Sequence, residues 1–291
     1  ISEMNQYPTI FISFANAKND KWNVVKEIKL QLRKEYDRYA HVFEQKMTVF
    51  EQNEYESLVQ GLMTKNDGLL DNITDALSFL MERLEKYYHK KVMVFIDEYD
   101  TPFIEAHVGG YYDELRGGLS SLLHNALKTS TSLHYAMMTG IQRVAKENIF
   151  SDLNNLVVCT VKDSEYSQYF GFTEEETKQT LEYYDLSLND EVKSMYDGYH
   201  FGEHDIYNPW SILNYASRKV LEPYWVNTSS NTMIKKAISS SDEAFERGYE
   251  ELIRNGELET TVKMDTSFFE VNNTENLWGL LVNAGYLTLH K

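Results

Sequence analysis

Asp97 and Glu98 follow directly on five apolar residues, Val92 to Ile96, in the stretch KKVMVFIDEYDTPF (residues 90–103). Adjacent carboxylates repel each other and resist dehydration, so a pair at the tip of what reads as a buried strand asks for a chemical reason. Two acids in that position are suited to holding a cation through water and to accepting the proton of an attacking water. The plain alternative is a strand exit whose acids cap the next turn, with Thr101-Pro102 making that turn. A second group lies further on, where Thr139 and Gly140 end the run LHYAMMTG and Arg143 follows. A hydroxyl and a guanidinium on a neighbouring strand could reach a phosphate. A strand-to-turn transition with a surface arginine would leave the same string.

Ligands in an open α/β sheet bind at the carboxyl ends of parallel strands, so the elements around these residues decide what they can do. YPTIFISF (Tyr7–Phe14) reads as a strand, Trp22 to Tyr39 as a helix, and the leucine-rich stretch from Asn66 to Tyr88 as a second helix with Asn66 or Asp67 as its cap. Strand Val92–Ile96 follows, then a helix over Asp113–Lys128, then the strands Tyr135–Thr139 and Leu156–Thr160. Apolar strands alternating with amphipathic helices predict a parallel sheet covered on both faces, with Asp97 and Thr139 at one edge. The pattern changes near Phe172, giving an α/β domain over 1–172 and a mainly helical domain over 173–291. The second domain opens on a capping box, Thr173 with Glu176, and has a loose helix and a small hairpin within 239–276.

Composition narrows the functions further. A net charge of −17 over 291 residues disfavours phosphate backbones except at a local basic patch. The best such patch, Lys21 to Arg38, is interleaved with Glu27, Glu35 and Asp37 and reads as a solvated helix face. The lone cysteine, Cys159, sits in an apolar run read as a buried strand. With no signal peptide and no run approaching a membrane span, these features point to the cytoplasm. His200 and His204 have i, i+4 spacing but flank Gly202 and lack a further ligand pair. Trp210 and Trp225, beside prolines and asparagines, read as packing residues, with stacking on a base as the alternative.

Four hydrophobic residues followed by Asp-Glu make the Walker B pattern of nucleotide hydrolases, in which the first acid orients magnesium and the second positions water. Thr139, on the strand beside it, then stands where a polar residue meets the γ-phosphate. VFIDEYDTPF, TGIQRVAKENIFSDLNNL, YDGYHFG, IYNPWSILNY, PYWVNTSSN and LLVNAGYLTL occur in that order. Together they resemble the bacterial AAA-ATPase-like family over essentially the whole chain. The resemblance implies a P-loop NTPase-like fold with ATP and magnesium as ligands. It also implies Asp97 on the magnesium water, Glu98 on the attacking water, Thr139 at the γ-phosphate and Arg143 near it. Members usually carry a P-loop near the N-terminus and often a PD-(D/E)XK nuclease-like domain after the segment matching GYLTL, through which nucleic acid would be a partner. No G-x-x-x-x-G-K-[ST] occurs here, so the chain is expected to be the middle of a longer protein, with its P-loop strand missing between the strands at 135–139 and 156–160. The rival readings are a non-hydrolysing interaction scaffold and a magnesium nuclease using Asp97, Glu98 and Asp100; oligomeric state is left open.

Overall fold

Strand β2 (Val92–Asp97) is the middle of a three-stranded parallel sheet, flanked by β1 (Thr9–Ser13) and β3 (Leu133–Met138). This computed structural model describes residues 4–64, 68–141, 155–225, 238–239, 241–264 and 273–289. Ile10 and Ile12 of β1 and Val92, Val94 and Ile96 of β2 are buried against the surrounding helices, as the period of two requires of one sheet face. Residues on the other face are less covered, with Phe11 55% exposed and Tyr135 44% exposed. The sheet expected to be covered on both faces is, among the described residues, covered more completely on one. β1 and β2 alternate in burial, although β2 is continuously apolar from Val92 to Ile96.

The fourth expected strand, Leu156–Thr160, is not one. These residues carry no strand, Val157 is 79% exposed and Cys159 is exposed. Apolar β-branched composition favours a strand only where a neighbour supplies the ladder, and among the described residues none pairs with this run. β3 is consequently an edge of the described sheet rather than an interior strand.

Helices α1 (Lys21–Arg38), α2 (Val49–Met63), α3 (Ala76–Tyr88), α4 (Thr101–Gly109) and α5 (Tyr112–His124) complete the first compact unit, which runs through Leu156. Leu77, Leu80, Met81 and Leu84 of α3 and Leu115, Leu119, Leu122 and Leu123 of α5 enter one core with Val24, Ile28 and Leu32 of α1. The second expected helix starts later than its leucine spacing suggested, at Ala76, after a 3₁₀ turn at Asp71–Ile73. Its proposed caps Asn66 and Asp67 lie outside the described residues. Pro102 enters the first turn of α4 instead of making a separate turn, since proline suits the start of a helix.

Two outcomes concern charge. α1 is not merely a solvated face: Lys29 is 2% exposed and donates to the Thr64 carbonyl at 3.2 Å. Arg38 reaches Glu35 and the Thr9 carbonyl, Tyr39 exchanges hydrogen bonds with the backbone of Thr9, and Glu35 accepts from the Phe11 N–H. The outer edge of β1 is thereby closed by side chains.

Glu51 joins α2 to α3. It forms a capping box with Thr48 and pairs with Lys86 and with buried Arg83 at 3.5 Å. The Lys86 hydrogen bond, and then the Thr48 N–H, lower its carboxyl from 4.5 to about 2. A depressed carboxylate contributes stability that is complete above its unfolded value near 4.5 and disappears as pH falls through about 2. Denaturation followed from pH 6 to pH 2 should show this acid-sensitive component in the wild type. It should be absent in Glu51→Gln, which at neutral pH loses about 1 kcal/mol of cap and pair. Identical pH profiles would remove the linkage.

The second compact unit begins at Val157. A small antiparallel sheet is ordered β4 (Phe172–Thr173), β6 (His204–Tyr207), β5 (Asp197–Phe201). Around it lie α6 (Glu174–Tyr183), α7 (Asp190–Tyr196) and α8 (Pro209–Arg218). The stretch YDGYHFG is one arm of the β5–β6 hairpin, whose turn has Gly202 at φ +55°. Within 239–276 the described residues hold α9 (Glu243–Asn255) and no strand; the hairpin expected there falls in part on residues 265–272, which lie outside the described residues. α10 (Thr274–Asn283) packs on α9 through Trp278, which meets the Phe245 ring at 4.4 Å. Trp278 is buried, whereas Trp210 and Trp225, read as packing residues, are each about half exposed. No described helix is long and apolar enough to cross a membrane.

Candidate functional site

The three parallel strands end side by side, and each end carries a polar side chain. Ser13 closes β1 opposite Asp97, which closes β2, and Thr139 follows β3. Pairing continues one step past the strands: the Thr139 N–H donates to the Ile96 carbonyl at 2.9 Å, the Tyr99 N–H to the Thr139 carbonyl at 3.1 Å, and the Phe14 N–H to the Asp97 carbonyl at 2.9 Å. The backbone at the strand ends therefore continues the ladder by one residue.

Asp97 is held from both sides. The Thr139 hydroxyl donates to Oδ1 at 2.8 Å and the Ser13 hydroxyl to Oδ2 at 3.3 Å. A carboxylate offers about four lone-pair sites; these two bonds orient it and leave acceptor capacity for water on a cation. Sequence reasoning placed Asp97 and Thr139 at one edge, and the structure brings them into contact. Ser13 was missed, because its only cue is its place as the last residue of a strand, and its partner lies 84 residues away.

Glu98 adopts φ +51°, a left-handed conformation uncommon for a residue with a Cβ. Its Oε2 accepts from the Thr101 hydroxyl at 3.0 Å and lies 3.9 Å from Lys18 Nζ. Lys18, also unforeseen, rides on the loop between β1 and α1. That loop is tied down where the Asn19 N–H donates to Glu105 at 2.7 Å and its carbonyl accepts from the Tyr111 hydroxyl at 3.0 Å. Burial, with Glu105 and Asp20 nearby, pushes the Tyr111 phenol up to about 12, so it stays a donor at neutral pH. Arg143 lies outside the described residues.

Other candidates resolve differently. Among the described residues no group of three or more His, Cys, Asp or Glu is arranged to hold a metal ion, so Asp97, Glu98 and Asp100 do not form a shared carboxylate cage. His200 and His204 fall on the two strands of the hairpin, and His200 Nδ1 pairs with Asp205 at 2.7 Å.

The chain is 29% identical over 202 residues to an uncharacterized protein in the vnfD 5'region of Azotobacter chroococcum mcd 1. That alignment covers 69% of this chain and 37% of the relative, so the chain spans little more than a third of that protein's length. No solved structure matches the chain. The family model described as predicted AAA-ATPase matches residues 1–150, the part that contains β1, β2, β3 and the cluster at their ends. By that match, over half of its length, the chain belongs to the predicted AAA-ATPase family.

Proposed function

We propose that the first compact unit forms the water-activating and phosphate-sensing half of a magnesium-dependent ATPase site. The observation that carries this reading is the doubly hydrogen-bonded Asp97 at the carboxyl ends of three adjacent parallel strands. Magnesium, when bound with ATP, supplies charge neutralisation at the phosphates. Asp97 would hold a magnesium-bound water, its orientation set by Ser13 and Thr139. Glu98 would accept hydrogen bonding from the attacking water, Thr139 would sense the γ-phosphate, and Arg143 would contact it. The lysine, hydroxyl and backbone donors of a phosphate-gripping loop act together, and residues 1–291 contain no such motif. On this reading the loop comes from sequence upstream of Ile1, and the ATP state governs a linked nuclease-like or partner domain.

Calorimetry tests the division of labour. Residues 1–291 alone are expected to show no micromolar binding of ATP with magnesium, whereas the full-length protein binds and hydrolyses it. Micromolar, magnesium-dependent binding to the 291-residue chain would contradict the assignment of the gripping loop. A full-length protein with no turnover would leave the strand-end cluster as scaffold.

A further inference from the structure

Asp100 is 2% exposed, a costly place for a carboxylate without compensation. It occupies the N-cap position of α4, where an aspartate ordinarily accepts from its own helix, yet its side chain makes no capping bond. Instead Oδ2 accepts from the Ile141 N–H at 3.0 Å, across to the segment that leaves β3. Gly140 lies directly against the same carboxyl group. A Cβ there would stand 2.6 Å from Asp100 Oδ1 and 2.9 Å from the Tyr99 ring, closer than real Cβ contacts come. The bond and the close approach fall on the two residues immediately after Thr139, whose hydroxyl holds Asp97.

We propose that Asp100 is a positioning residue that acts through Thr139 on Asp97. Its carboxylate gives up helix capping to fix the 139–141 segment against the exit of β2, which holds the Thr139 hydroxyl at Asp97 Oδ1. The inference deepens the ATPase reading and rests on it. It adds a residue that touches neither nucleotide nor metal but sets how well the magnesium water is organised.

The test combines two readouts. In the full-length protein, Asp100→Ala and Ile141→Pro each remove one end of the tie, the second without altering the carboxylate. Each should raise the magnesium concentration for half-maximal ATPase by about 10–100-fold, the range for residues that orient a metal's ligands. Thr139→Val should do the same. The double variant Asp100→Ala/Thr139→Val should be no worse than Thr139→Val alone, because residues acting in series are not additive. Asp100→Asn, which keeps an oxygen for the Ile141 N–H, should recover most of the loss. Additive effects, or a lowered melting temperature with unchanged magnesium dependence, would overturn the proposal. The second readout needs no activity. In the 291-residue chain, amide exchange at Thr139 should quicken at least about tenfold in Asp100→Ala and Ile141→Pro, with the Val94 amide unchanged. Unchanged exchange at Thr139 would overturn the tie itself. A wild-type protein with normal exchange and no ATPase would instead sink the reading beneath it.

Discussion

Glu98→Gln is expected to lower single-turnover ATP hydrolysis by the full-length protein by about 10²–10⁴-fold, the contribution of a positioned proton acceptor, while ATP stays bound. The substitution is nearly isosteric, and the amide oxygen can still accept from the Thr101 hydroxyl, the bond that now holds the carboxylate at 3.0 Å. The 3.9 Å pairing with Lys18 is lost, but both partners are partly exposed and such a pair contributes little. What changes is the ability to take charge from an attacking water. Asp97→Asn should behave differently. It removes charge beside the cation and leaves one of the Ser13 and Thr139 hydroxyls facing an amide NH2 in place of an acceptor, so magnesium-dependent binding weakens together with turnover. If the two acids served only to cap the exit of β2, both variants would lose a little stability and hydrolyse ATP normally per folded molecule. Nucleotide binding and single-turnover rates on both variants separate these outcomes. Unchanged turnover in Glu98→Gln removes the catalytic reading.

Trp278→Ala should cost the second unit about 3–5 kcal/mol, the range for emptying a large buried aromatic site. The indole is 2% exposed and stacks at a tilt on Phe245. Close approach of α9 leaves only 3.1 Å between its ring and a Cβ built at Gly248. The neighbouring Gly279 would place a Cβ 1.9 Å from the Lys263 carbonyl oxygen, so its Cα is packed against backbone and the helix cannot move in to fill the space. Chemical denaturation followed by far-ultraviolet circular dichroism measures the loss. A change below about 1 kcal/mol would mean that this contact closes over the cavity.

Much of the first unit was legible because its signals are local. Val92–Ile96 and the run before Thr139 are apolar enough to be strands in any register, and the leucines of α5 recur on one face. The box of Thr173 and Glu176 is written in four consecutive residues, and the structure contains both of its hydrogen bonds. What was misread depends on distant partners. Leu156–Thr160 has strand composition, but no described strand lies beside it. α2 went unseen because Val49 and Phe50 at its start are exposed, so its apolar residues do not mark a face, and only Thr48 and Glu51 announce it. Ser13 and Lys18 carry no motif; they belong to the site because the ladder and the tied loop bring them there. Asp100 could be seen in IDEYD, but nothing in that string says that it faces Ile141 instead of its own helix.

The contrast between the two rims of the parallel sheet gives the molecule a direction. On the β1 side, Glu35, Arg38 and Tyr39 occupy the backbone of Thr9 and Phe11, and no further strand can dock without displacing them. β3 pairs only with β2 among the described residues, and since Thr139 turns both of its backbone groups toward β2, Ala136 and Met138 turn theirs the other way. Lateral growth of this sheet is therefore one-sided, like a crystal with a single reactive facet. Any strand that joins it, from this polypeptide or another, arrives next to the Thr139 end of the site and not on the Ser13 side. The same asymmetry limits mispairing during synthesis, because only one rim has to be kept covered until its neighbour is in place.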